Sequence, residues 1–170
     1  MPRLLALSRC IDALNHRLSW ITDWLVFLSR MVSAGNAFSR YAFSMSSNAW
    51  LEIQWYMFGA VVMLGASYTL KKNEHVRVDI FYARYPERAK AAIDLLAGLL
   101  ALAIALLVIR YSIAYVQQSY AIGEISSDPG GLTHRWLLKA LIPLGFALFA
   151  LQALAQCVGA ARRLLKPAAP

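Results

Sequence analysis

The stretch Ala91–Ile109 is a nearly unbroken aliphatic run, and no other feature constrains the fold of this chain as tightly. About 20 apolar residues coiled at about 1.5 Å per residue match the hydrocarbon thickness of a bilayer. With no water to satisfy its backbone, a run of this kind forms a helix. Composition agrees: 59% of the 170 residues are hydrophobic and only 15% are charged. Soluble domains carry about 25% charge, and a soluble chain this short has too small a core to hide so much apolar surface.

Read from this anchor, the chain is an all-α integral membrane protein with four transmembrane helices, a single membrane domain over residues 1–170. Leu4, Leu7, Ile11, Leu14 and Leu18 recur at helical spacing with Arg3, Arg9, Asp12 and His16 between them. That spacing predicts an amphipathic N-terminal helix over 1–18, lying on the membrane surface or extending the first span inward. A cleaved signal peptide fits poorly, because Asp23 and Arg30 interrupt the apolar stretch that follows. The spans are expected at 19–41, 49–70, 91–120 and 136–158, the last with a bend at Pro143 near Gly145. Ser126, Ser127, Asp128, Pro129, Gly130 and Gly131 make a turn between the third and fourth. In 75–85, Val76, Val78 and Ile80 alternate with polar residues, as in a strand. A lone strand beside a bilayer has no pairing partner, so a short interfacial amphipathic helix is expected there.

The formal charge of +8 does not point to nucleic acid, because the basic residues cluster between apolar segments instead of forming one face. Twelve of the seventeen Lys and Arg fall on one side of the expected topology: the two ends and the loop containing Lys71, Lys72, Arg77, Arg84, Arg88 and Lys90. Three, Arg40, Arg135 and Lys139, fall on the other. This asymmetry predicts that both termini and the middle loop are cytoplasmic. Cys10 and Cys157 stand far apart with no metal-ligand spacing and are expected to be small apolar fillers, with no disulfide framework.

No phosphate-binding loop, nucleophile elbow or zinc-spaced histidine pair is present, so the chain is read as a non-enzyme with no cofactor and no metal. A haem held by two histidines is disfavoured, because His75 and His134 fall on opposite sides of the membrane and His16 lies outside the spans. The polar residues within spans are the functional candidates. Asp23, Arg30 and Ser33 fall close to one face of the first span, and Asn36 and Arg40 continue beside them. A charge such as Arg30 at mid-bilayer costs about 2.5–3.5 kcal/mol, so Arg30 snorkels, pairs internally or meets a partner subunit; a substrate-binding role is disfavoured, because so small a bundle has little room for a translocation cavity. Glu52 opens the second span near Arg40; a structural Arg40–Glu52 ion pair is expected, with proton coupling through Glu52 as the alternative. Gly59, Gly65 and Ala66 are small enough to admit a close helix contact, internal or external.

One stretch carries a family resemblance. Trp50-Leu51-Glu52, then Gly59 and Gly65-Ala66-Ser67, then Lys71-Lys72-Asn73-Glu74-His75-Val76-Arg77-Val78-Asp79 are similar to the small membrane subunit of tripartite ATP-independent periplasmic (TRAP) transporters, the Q-type, DctQ-like small permease. The shared pattern is a span opening with Glu, small residues near its end, and a basic pair followed by His-Val-x-Val-Asp, so Lys71, Lys72, His75, Arg77 and Asp79 form the motif proper. Asn73 stands where many relatives have glycine; Asn tolerates the left-handed conformation of such a turn. The resemblance implies an immobile scaffold subunit in the bacterial inner membrane, surrounded by lipid. Its partners would be a large TRAP membrane subunit, which carries the sodium and substrate sites, and a periplasmic solute-binding protein that delivers an organic acid. The Trp50-Leu51-Glu52 opening looks most like the branch associated with mannitol, keto-acid or chloroaromatic substrates. A stand-alone proton-coupled transporter and a membrane anchor for a redox enzyme are the competing readings.

Overall fold

A computed structural model of the chain describes residues 2–45, 47–72, 82 and 84–165, with side chains from Cys10 onward. It contains four long helices: α1 (Pro2–Phe43), α2 (Asn48–Lys72), α3 (Glu87–Ala121) and α4 (Trp136–Leu165). No strand occurs among the described residues. Three helices, α2, α3 and α4, are long and apolar enough to cross a membrane. α1 is the longest, at 42 residues, but Asp23, Arg30 and Arg40 make it the least apolar.

The N-terminal amphipathic segment and the first span are one continuous helix, so of the two arrangements expected the segment takes the one that extends the span. Pro2 occupies a first-turn position where its missing N–H does no harm, and no further proline and only Gly35 follow within α1. α4 likewise runs on through Pro143 as a single helix. Most of the expected interfacial helix at 75–85, including His75, Arg77 and Asp79, lies outside the described residues.

α4 is the hub, packing against α1, α2 and α3, while α1 also packs along α2. The α3 face toward α4 is made of Ala91, Gly98, Ala105, Ser112 and Ser119, all buried and all spaced by seven. A seven-residue repeat keeps one seam of a helix turned to its neighbour, and small residues on that seam let backbones approach closely. A Cβ on Gly98 would come within 2.6 Å of Cys157 Sγ, so that buried thiol is the filler of this seam. Cys10, by contrast, is exposed; both cysteines are free. α2 and α4 meet backbone to backbone: a Cβ on Gly145 would sit 2.6 Å from the carbonyl oxygen of Met63.

Candidate functional site

At the end where the chain terminates, polar side chains tie three helices together. Asn15 of α1 is fully buried, donates from Nδ2 to Gln152 Oε1 of α4 at 2.5 Å, and accepts from Ser67 Oγ of α2 at 2.9 Å. Around it, Lys71 Nζ donates to the carbonyl of Asp12 at 2.7 Å and Gln156 Nε2 to the carbonyl of Leu70 at 2.6 Å. Interhelical hydrogen bonds in lipid contribute about 0.6–2 kcal/mol each, and mutual satisfaction removes the larger penalty of leaving such groups bare. α3 is fastened separately: Asp94 accepts from Tyr82 Oη at 2.9 Å and from an Arg163 guanidinium nitrogen at 2.7 Å.

At the opposite end, Glu52 clasps the loop between α3 and α4. α3 stops in a Schellman motif, with Gly123 left-handed at φ +58°, Gly123 N donating to Tyr120 O and Glu124 N to Ser119 O. Further on, Gly131 N donates to Asp128 O across Pro129 and Gly130, the latter at φ +71°. That is the signature of a type II turn. The turn presents two donors to one carboxylate: Ser126 Oγ to Glu52 Oε1, and Leu132 N to Glu52 Oε2 at 2.6 Å. A Cβ on Gly131 would fall 2.9 Å from Glu52 Oε1, so only glycine lets the loop come this close. Asn48 Nδ2 adds a bond to Pro129 O at 2.9 Å. Beside the clasp, Lys139 Nζ pairs with Glu124 and sits 4.0 Å from the Tyr115 ring centroid. The Lys139 hydrogen bond, aided by the nearby charge of Arg135 and only partly opposed by burial, holds the Glu124 carboxyl below its ordinary pKa of 4.5.

Glu52 is therefore not paired with Arg40, which is exposed on α1. The short loop does bring their helices together, but Glu52 turns to the two donors of the α3–α4 loop. Asp23, Arg30 and Ser33 are exposed on the flank of α1, whereas Asn36 is buried. The three candidate packing residues divide. Gly59 is used internally, with Leu138 Cδ1 3.1 Å from where its Cβ would be, while Gly65 has nothing within 4 Å and, with Ala66, lines an open groove between α1 and α2. Lys72 reaches over Tyr68, 5.7 Å from the ring centroid.

Set beside known families, residues 30–163 match the DctQ component of tripartite ATP-independent periplasmic transporters. The chain belongs to that family. A search of curated proteins gave no significant match.

As a DctQ-family protein it is the small permease subunit of a TRAP transporter, and its apolar helices place it in a membrane. The family match takes in Glu52, its loop partners, Asp94 and Gln152, but begins at Arg30, leaving Asp12, Asn15 and Asp23 outside it. Sequence reasoning missed Asn15, Gln152 and the Asp94 pair. One signal was available for the first two, since an amide inside an apolar frame in lipid needs a partner. Ser126 and Leu132 were within reach as well, because alternating helices put the start of α2 and the α3–α4 loop at the same end of the bundle.

Proposed function

We propose that this chain is the immobile inner-membrane anchor of its transporter, with α1 as a fourth span, both termini cytoplasmic, and the large membrane subunit held against it. The observation that carries this reading is the use made of the polar groups at the two ends of the bundle. Asn15, Gln152 and Ser67 hold helices to one another, and Glu52 holds a loop; each is occupied in a structural hydrogen bond. A proton carrier needs a carboxylate that can be released and regained, and Glu52 is engaged at both oxygens. Sodium-coupled uptake of an organic acid delivered by a periplasmic binding protein then belongs to the assembled transporter, with the chemistry in the large subunit.

Reconstitution tests this. The purified chain in liposomes with a sodium gradient should take up no solute; adding the large subunit and the binding protein should start uptake. Uptake by the chain alone would refute the anchor reading and make Glu52 or Arg30 a transport residue.

A further inference from the structure

We infer that the α1–α2 flank, bearing Asp23, Arg30 and the open floor at Gly65, receives a transmembrane helix from a different protein chain with complementary charge. This rests on the anchor reading and adds the face by which the large subunit docks. Asp23 lines both a groove of about 420 Å³ between α1 and α2 and an adjoining concavity of about 320 Å³ that includes Trp20, Trp24 and Phe27. Arg30 follows two helical turns later on the same side of α1, about 10 Å along the axis. Both side chains are exposed, and neither has an ion-pair partner among the described residues. Arg30 is in the middle of the 19–41 stretch, about 16 Å from either end, too deep for its guanidinium to reach headgroups comfortably. A lipid tail offers these charges nothing.

The floor of the groove favours a helix. Gly65 would meet nothing within 4 Å if it carried a Cβ, so its small size is not spent on a contact inside the chain. Leu51, Trp55, Phe58 and Val62 continue this face of α2 at three- and four-residue steps, all exposed, Trp55 at 75%. Small residues beneath large apolar ones make a seam into which another membrane helix packs.

Charge decides which helix. Two copies of this chain insert with the same orientation, so a symmetric pairing through this face would set Asp23 against Asp23 and Arg30 against Arg30 at equal depths. Like charges at lipid depth repel, which excludes a second copy as the natural occupant. The fitting partner carries a basic side chain level with Asp23 and an acidic or carbonyl acceptor level with Arg30.

Photo-crosslinking in the intact complex tests this. A benzophenone amino acid is placed at Phe27 or Val62 on the flank, and at Leu100 or Leu144 on the other hairpin, in the full chain co-expressed with its large subunit. Adducts to the large subunit are expected from Phe27 and Val62, and the charge-reversing pair Asp23→Lys with Arg30→Glu should cut its co-purification by at least about tenfold. The milder Asp23→Asn should lower recovery less while leaving the yield of the chain unchanged. Large-subunit adducts from Leu100 and Leu144 instead, or only lipid or self-adducts from the flank while the large subunit still co-purifies, would overturn the docking face and leave the anchor reading intact. Failure of the unsubstituted chain to co-purify with the large subunit would overturn both.

Discussion

The α3–α4 hairpin closes through Ala91, Gly98, Ala105, Ser112 and Ser119 against a small-residue face of α4, and its outer surface is aliphatic, with Leu96, Leu99, Leu100 and Ile104 exposed. The α1–α2 hairpin is built otherwise. Of the described side chains that α1 buries, from Cys10 onward, only Ile11 is apolar; the others are Asn15, Thr22 and Asn36. Its outer flank keeps two opposite charges and an unfilled groove. In lipid there is little hydrophobic drive between helices, so close packing and hydrogen bonds supply the cohesion. α3–α4 relies mainly on the first, with the Asp94–Arg163 pair fastening one end, and is finished. α1–α2 relies on the second and leaves a surface that lipid penalises, as expected of a subunit whose assembly partner completes it.

The sharpest way to break this contrast is to add one methyl where the two hairpins meet, at Gly145, and one on the open flank, at Gly65. Gly145→Ala would drive Cβ into the Met63 carbonyl, backbone that cannot move aside, so α2 and α4 must separate. We expect a loss of about 1–3 kcal/mol from overpacking, larger than the helix-propensity gain of about 1 kcal/mol. Gly65→Ala meets open space and should leave the isolated chain as stable or slightly more so. Denaturant titration in detergent compares the two. Equal damage at both positions would mean that the groove is not open.

Next in size is the buried amide pair. Asn15→Leu strands Gln152 Oε1, leaves Ser67 Oγ only its bond to the carbonyl of Leu64, and should destabilise by about 1–2 kcal/mol. The double change Asn15→Leu with Gln152→Leu should recover part of that, because partners removed together leave fewer groups unsatisfied. Recovery appears as a folded fraction between that of the single variant and that of the unaltered chain.

The Glu52 clasp ranks third. Glu52→Gln and Gly131→Ala should both lower the amount of assembled protein and loosen the 126–132 loop to protease, whereas Arg40→Gln should leave the loop unchanged. The pH profile of uptake by the complete transporter should be the same for Glu52→Gln as for the unaltered chain. A shifted profile at normal protein levels would mean that Glu52 carries protons.

The smallest effect is that of Glu124. Its pKa is lower in the folded chain than the ordinary 4.5, so its contribution is present above that value and is lost as the pH falls below it. Glu124→Gln should therefore be slightly less stable than the unaltered chain near neutral pH and equal to it in acid. Thermal unfolding at a series of pH values reads this out.

The helices and the turn at Ser126–Gly131 were legible in the sequence because they follow from local facts: an apolar run, a Pro-Gly pair, charges that close a segment. Side-chain period along one helix also shows which residues share a face. It does not show what that face meets. Asn15 and Gln152 are 137 positions apart, and only the packing of α1 on α4 joins them. Glu52 is nearer Arg40 along the chain, yet bonds to a loop 74 positions away. Gly59, Gly65 and Gly145 look alike in sequence, but one lies against a leucine, one faces open space and one faces a carbonyl oxygen. The spacing of residues 1–18 left open whether they lie apart or extend the first span, because their polar residues mark a change of surroundings, and the helix passes through that change unbroken.

Hydrogen–deuterium exchange on the full chain, free in detergent and bound to its large subunit, tests most directly whether one hairpin is complete and the other awaits a partner. Binding should slow exchange along α1 around Asp23–Arg30 and along α2 around Phe58–Gly65, with α3 and α4 unchanged. Protection gained along α3 and α4, with the α1–α2 flank unaffected, would contradict the account.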